Sequence, residues 1–405
     1  MRSLLLPVVL SVLLAACASQ PENETADTGE SGLPDYNDQT DIDIKWREKL
    51  GEGPQKAYTR LYPLVMNSVV YAADPSGALT AMSLEDGDKI WSVTLDAKVS
   101  SAVSGDRDQL FVATLDGYLH CLKAEDGEEI WRSRMSSEAV APAGFDRGRV
   151  FVQTVDGRVA AFERSNGRQA WSYENAMPVL SVRGTGTPLV MDQFVVAGFA
   201  TGKVLALDKT LGIPRWEVRL ATPDGRSELE RLVDIDGSPA LDGSVIYAAS
   251  YHGKLAAITP NGQTRWEEEG STYTSPALGL GNIYLTLDDG TIQAYDQNSG
   301  AKVWTQKGLR GQLPGQVTAY GNWLLAADRE GYLHVMSQVD GELVGRVLLR
   351  PKPLHISYPN QTEGTNWRAL RGIDMGIRSP MVATPEGVLI FTNAGELLLL
   401  DIEAD

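Results

Sequence analysis

A tryptophan that returns every 38 to 50 residues, a turn glycine that returns in step with it, and two chain ends that each lack what the other has predict an all-β fold. The fold is an eight-bladed β-propeller, four antiparallel strands per blade, with the ring closed by an N-terminal strand that completes the C-terminal blade. The tryptophans are Trp46, Trp91, Trp131, Trp171, Trp216, Trp266 and Trp304, and the next position in the series is Gly345. The glycines are Gly77, Gly117, Gly157, Gly202, Gly253, Gly290, Gly331 and Gly395, so eight modules are counted. A unit of this length buries its apolar faces only by stacking on its neighbours. Within a module the text reads as four short strands, clearest at 274–278, 282–287, 291–296 and 301–306, with glycine-containing turns between them. The last module has its Gly395 turn and the strand Glu396 to Ile402 but no tryptophan strand, whereas the strand Ile42 to Trp46 has no three strands before it. Pairing the two completes the eighth sheet and distinguishes a ring from a linear solenoid. The repeated tryptophan is read as packing between neighbouring sheets, since its period is that of the module.

The 405 residues carry a net charge of −17, which disfavours nucleic acid as a partner because no dense Lys/Arg surface is available to displace counterions. Met1-Arg2-Ser3 followed by the apolar run Leu4 to Leu14 is too short to cross a bilayer and reads as the start of a signal peptide, residues 1–16. The run ends Leu14-Ala15-Ala16-Cys17, which resembles the lipobox of bacterial lipoproteins, so Cys17 is the expected lipidation site. With Ala18 after the cysteine, the resemblance implies an outer-membrane, lipid-anchored protein on the periplasmic face. Residues 17–40 are expected to form a disordered tether, acidic and without Lys or Arg. Its root-mean-square span would be roughly 26 Å. Residues 41–405 are the propeller. Cys121 is then the only other cysteine, excludes an intramolecular disulfide, and reads as a small buried apolar residue in an alternating strand.

Turns such as Asp208-Lys209-Thr210-Leu211-Gly212 to Trp216 and Asp296-Gln297-Asn298-Ser299-Gly300 to Trp304 resemble the repeats of quinoprotein dehydrogenase propellers. The lipobox, the length and the eight-module register look more specifically like the BamB family, lipoprotein propellers of the outer-membrane β-barrel assembly machinery. That resemblance implies a non-catalytic accessory subunit that binds the periplasmic domains of the central barrel subunit, BamA. Pro178-Val179-Leu180-Ser181-Val182-Arg183-Gly184 resembles the family's Leu-x-Leu-Arg-Gly docking loop, with Val182 where a Leu is usual. Glu230-Arg231-Leu232-Val233-Asp234-Ile235-Asp236 resembles its Arg-Leu-x-Asp-x-Asp segment. The implied partner contacts are Leu180, Val182, Arg183, Asp234 and Asp236.

The connector lengths point to the same region without the family. Many inner strands begin near a proline, and about ten residues suffice to reach it from the preceding tryptophan position, yet the connectors after Trp171, Trp216 and Gly345 are much longer. Long loops on a rigid scaffold are where binding usually resides. All such connectors emerge on one face of a propeller, so the Leu180 and Asp234 loops are expected side by side, offering apolar groups, a guanidinium and acidic acceptors. Alternatively Arg183 pairs with Asp234 or Asp236 and braces the two loops, and the readings are compatible. The connector from Val347 to Ser379 holds His355, Tyr358, Trp367, Arg368, Arg371 and Arg378, which leaves open whether it covers that face or makes a second contact.

An enzyme is the natural competitor, because the quinoprotein resemblance implies a pocket with calcium-binding acids and commonly an adjacent cysteine pair. No adjacent cysteines occur, and His120, His252, His334 and His355 are scattered, the first and third sharing the repeat text Gly-Tyr-Leu-His. Asp234-Ile235-Asp236-Gly237 lacks the further spaced donors of a calcium loop, and no dinucleotide or nucleophile motif is found. The reading is therefore no enzyme, no cofactor, no metal and no small-molecule substrate. A third class, a periplasmic chaperone-like binder that pairs its sheet edges with unfolded barrel strands, would add nascent outer-membrane clients to the partners.

Overall fold

The computed structural model describes residues 33–54, 59–181, 184–350 and 376–404. Its regular elements there are 32 strands, β1 to β32 in chain order, arranged as eight four-stranded antiparallel sheets. The first sheet is β2 (Leu64–Met66), β3 (Val69–Ala73), β4 (Ala78–Ser83) and β5 (Lys89–Thr94), in that order from the axis outward. The module read from the sequence at 274–306 is β22 (Ala277–Gly279), β23 (Asn282–Thr286), β24 (Ile292–Asp296) and β25 (Lys302–Gln306). The second and third strands of each blade are buried on both faces, as β3 and β4 illustrate, whereas β5 alternates between exposed and half-buried residues. This is why the middle strands read as continuous apolar runs and the outer ones as alternation. Cys121 sits in such a middle strand, fully buried, and burial pushes its thiol up to about 12, so it is an inert packing group.

The ring is closed as expected. β1 (Thr40–Lys49) pairs antiparallel with β32 (Glu396–Ala404) from Thr40↔Ala404 to Lys49↔Glu396, and the last sheet runs β1-β32-β31-β30, with β30 at Val382–Thr384 and β31 at Gly387–Phe391.

Each of the seven tryptophans does the same work. Its Nε1–H donates to a backbone carbonyl of the next blade at 2.9–3.1 Å: Trp46 to Leu84, Trp91 to Ala124, Trp131 to Arg164, Trp171 to Lys209, Trp216 to Pro260, Trp266 to Gln297 and Trp304 to Gln338. The indole lies flat on the glycine of that blade's turn between third and fourth strands. A Cβ added at Gly212 would come within 2.5 Å of the Trp171 ring. Gly345 breaks the series because the eighth blade has no such turn: its third and fourth strands belong to opposite ends of the chain. Thr40 fills the place instead, donating from Oγ1 to the Val344 carbonyl at 3.3 Å, and a Cβ at Gly345 would run into that hydroxyl.

Two local expectations change. In the fifth module the left-handed turn position is taken by His252 (φ 51), one residue before Gly253. The tether expected to reach residue 40 is packed on the ring from Leu33 onward. Leu33 is buried, the Arg346 guanidinium donates to the Pro34 carbonyl and lies 4.8 Å from the Tyr36 ring centroid, and the amides of Asn37 and Gln39 donate to Leu343 and Val344. Arg346 is itself held by His334 Nδ1 at 3.2 Å, whose Nε2 bonds the buried Asp328 at 2.9 Å. Residues 17–32, Cys17 among them, lie outside the described residues.

Because strands alternate in direction, the connectors from each outer strand to the next inner strand share one face with the turns between second and third strands. The tryptophan-receiving glycine turns occupy the other face.

Candidate functional site

Two long connectors meet on the first of these faces: residues 175–188, after β13 (Gln169–Glu174), and residues 220–239, after β17 (Pro214–Arg219). They are adjacent, as the chain order requires. Gly184 is seated so closely on the second connector that a Cβ there would lie 2.2 Å from Asp236 Oδ1, and Gly186 packs on the backbone of Gly237 and Ser238. The Thr187 amide donates to Ser238 Oγ at 2.8 Å.

These connectors expose four large apolar side chains, and the second also exposes the charged Asp224, Arg226, Glu228, Glu230 and Arg231. Val179 is 92% exposed, Leu229 70%, and Met177 and Leu180 each 38%. Leu229 is held outward by a local turn in which Ser227 Oγ accepts the Glu230 amide at 3.2 Å while Glu230 Oε2 accepts the amides of Arg226 and Ser227. Those backbone donors hold the Glu230 carboxyl below its ordinary value. The motif is the reciprocal Ser-x-x-Glu cap of a turn, and its spacing was available in the sequence as a signal for this residue.

The acidic half of the expected patch is corrected. Asp234 and Asp236, read as surface acceptors, are 1% and 6% exposed. The Asp234 carbonyl accepts the Tyr251 amide at 2.7 Å and Ser250 Oγ at 3.0 Å, which ties the connector to the turn between β19 (Val245–Ala249) and β20 (Lys254–Ile258) of its own blade, and its Oδ1 accepts the Ile235 amide at 2.9 Å. Asp236 faces the axial channel, a cavity of about 760 Å³ lined by the inner strands of six blades and by the residues just before the inner strands of the other two, and its Oδ1 has no hydrogen-bond partner. Burial first, then the neighbouring Asp234 carboxyl, push Asp236 up to about 8 against the opposing pull of Arg60. A carboxyl in that state is neutral near pH 7 and supports the Gly184 connector above it. Val182 and Arg183 lie outside the described residues, as do His355, Tyr358, Trp367, Arg368 and Arg371 of the longest connector. Among the described residues no group of three or more His, Cys, Asp or Glu side chains is placed to hold a metal ion.

The comparisons with known proteins join this geometry to a lineage. The family profile described as "Outer membrane protein assembly factor BamB" matches residues 75–306 and 288–365. The protein of that description from Pseudomonas aeruginosa is 46% identical over 340 residues, covering 84% of this chain and 89% of its own. The chain belongs to the BamB family. The BamB of Marinobacter adhaerens is 39% identical over 406 residues, 99% of this chain and 97% of its own, and that of Escherichia coli is 33% identical over 357 residues, 85% and 91% respectively. In three dimensions the ring resembles the crystal structure of BamB from Moraxella catarrhalis, with a TM-score of 0.77 at 22% identity over 89% of this chain and 100% of that one. It also resembles the quinohemoprotein alcohol dehydrogenase of Comamonas testosteroni, at 0.63 and 12% identity over 89% of this chain and 76% of that one. These two likenesses speak to the fold alone. A shared ring of this kind does not by itself assign a function.

Proposed function

We propose that this chain is a non-catalytic scaffold of outer-membrane β-barrel assembly, anchored by lipid on Cys17 at the periplasmic face of the outer membrane. It docks the periplasmic domains of a BamA-like barrel subunit through the connectors 175–188 and 220–239. The observation that carries this reading is the set of four exposed apolar side chains, Met177, Val179, Leu180 and Leu229, borne by two adjoining connectors of a rigid ring. Its relatives are named outer membrane protein assembly factors. In this reading Leu180 and Val182 bury against the partner, Arg183 grips a carboxylate, and Asp234 and Asp236 are positioning residues that hold the loops from beneath.

The test is capture of purified periplasmic domains of the barrel subunit by the mature protein. Leu180→Glu should leave thermal unfolding unchanged, because the side chain is exposed, and should weaken capture by roughly 30-fold, the effect of losing about 2 kcal/mol at an interface anchor. Undiminished capture by that variant contradicts the assignment.

A further inference from the structure

A second cavity opens on the same face, on the other side of the ring axis from the apolar connectors. It encloses about 320 Å³ and is walled by six described chain segments: the connector before β2, the connector before β22, the β23–β24 turn, the connector from β25 to β26 (Thr318–Tyr320), the turn between β27 (Trp323–Ala327) and β28 (Tyr332–Ser337), and the connector before β30. Three of those segments contribute an arginine, Arg60, Arg329 and Arg378. Among the described residues one carboxylate lines it, Asp288, and its Oδ2 already accepts from Ser271 Oγ at 2.7 Å. Three guanidinium groups, of which Arg60 and Arg378 also hold other partners, thus line a space with one carboxylate among the described residues. The wall also carries apolar side chains, Leu287, Leu313, Pro314 and Ile377, beside the polar Thr274, Thr286 and Gln316.

The cavity is preformed by the backbone. The Gly315 amide donates to the Ala327 carbonyl at 2.8 Å, the Ile377 amide to the Asp328 carbonyl at 3.0 Å, and Thr286 Oγ1 to the Gly315 carbonyl at 2.7 Å. Arg60 is fixed at the edge by donating to the Tyr273 carbonyl at 3.2 Å. One polar group in the wall is left over: Thr59 is 8% exposed, and its Oγ1 has no hydrogen-bond partner. A buried hydroxyl without a partner costs free energy unless something arrives to receive its proton.

We infer that this cavity is a carboxylate site, taking an apolar group of about one side chain's size that ends in a carboxylate. The carboxylate would sit among the guanidinium groups, with the Thr59 hydroxyl donating to it, and the body would lie on Leu287, Leu313 and Ile377. Guanidinium groups match carboxylate geometry with paired donors, and a preformed wall lowers the cost of binding. The site does not use connectors 175–188 or 220–239, so its failure would leave the docking reading untouched.

Phenylacetate is the probe, with phenylacetamide and inorganic phosphate as the discriminating controls. Titrated into the mature protein and followed by calorimetry or by NMR shifts, phenylacetate should bind saturably at one site, and the amide and phosphate should not compete with it at equal concentration. Arg329→Gln, at an exposed position on a turn, should keep the melting curve and weaken phenylacetate at least tenfold, while Arg329→Lys, which keeps the charge without the paired donors, should fall between. Equal binding of acid and amide, displacement by inorganic phosphate at equal concentration, or wild-type affinity in Arg329→Gln would each overturn the inference.

Discussion

Trp171 represents what one residue type achieves seven times around the ring. Its indole donates to the Lys209 carbonyl at 3.0 Å, lies on Gly212 and leans on Phe151 at 5.9 Å between centroids, so it joins two blades by a directed bond and a packed face. Trp171→Ala should cost about 3–5 kcal/mol in urea unfolding. Gly212→Ala should destabilise as well, because φ there is +71° and the added methyl meets the indole; an unchanged unfolding midpoint in both variants would contradict the packing role. Asp236 acts in the opposite sense. Its carboxyl is raised to about 8 in the folded protein, against an ordinary value near 4 when unfolded, so the folded state holds the extra proton between those limits. Stability from this group is then full below about pH 4 and is lost progressively as pH rises toward 8. Asp236→Asn, which does not titrate, should become increasingly more stable than the wild type across that window, with a constant gap above it; parallel pH profiles would contradict the burial. The tryptophans were legible in the sequence because one task repeats at one spacing. The burial of Asp234 and Asp236 was not, because two acids in a polar loop read as exposed, and it is the Gly184 connector of another blade that covers Asp236.

At the level of elements, the fold depends on β1 supplying the outer strand that the last sheet lacks. Deleting residues 41–47 should abolish cooperative thermal unfolding or lower its midpoint sharply, and an unaltered transition would count against closure by this strand. The pairing of the two ends was legible because each end lacked a definite strand. Gly345 was legible only as a gap in a series; its cause is that the eighth blade has no turn on which an indole could land, so Thr40 takes the place. The order in Leu33–Gln39 was hidden for a different reason. Those residues sit in an acidic, low-complexity stretch, and their partner, Arg346, is 312 positions from Pro34 along the chain. Only the folded ring brings that guanidinium, with His334 and Asp328 behind it, to the strap.

For the whole molecule, the closed ring sorts its loops by face. The short glycine turns that receive tryptophans are committed to holding blades together, whereas the long connectors on the opposite face are free of that duty and carry the exposed Val179, Leu180 and Leu229. The position of this face followed from strand alternation and connector length alone; which side chains point outward required the structure. The docking account is tested most directly by placing a photo-crosslinking residue singly at Leu180, at Leu229, and at Leu211, which is 63% exposed on the tryptophan-turn face, and exposing the protein to purified periplasmic domains of the barrel subunit. Crosslinks from Leu180 and Leu229 with none from Leu211 are the expected result, and crosslinks from Leu211 with none from the other two would contradict it.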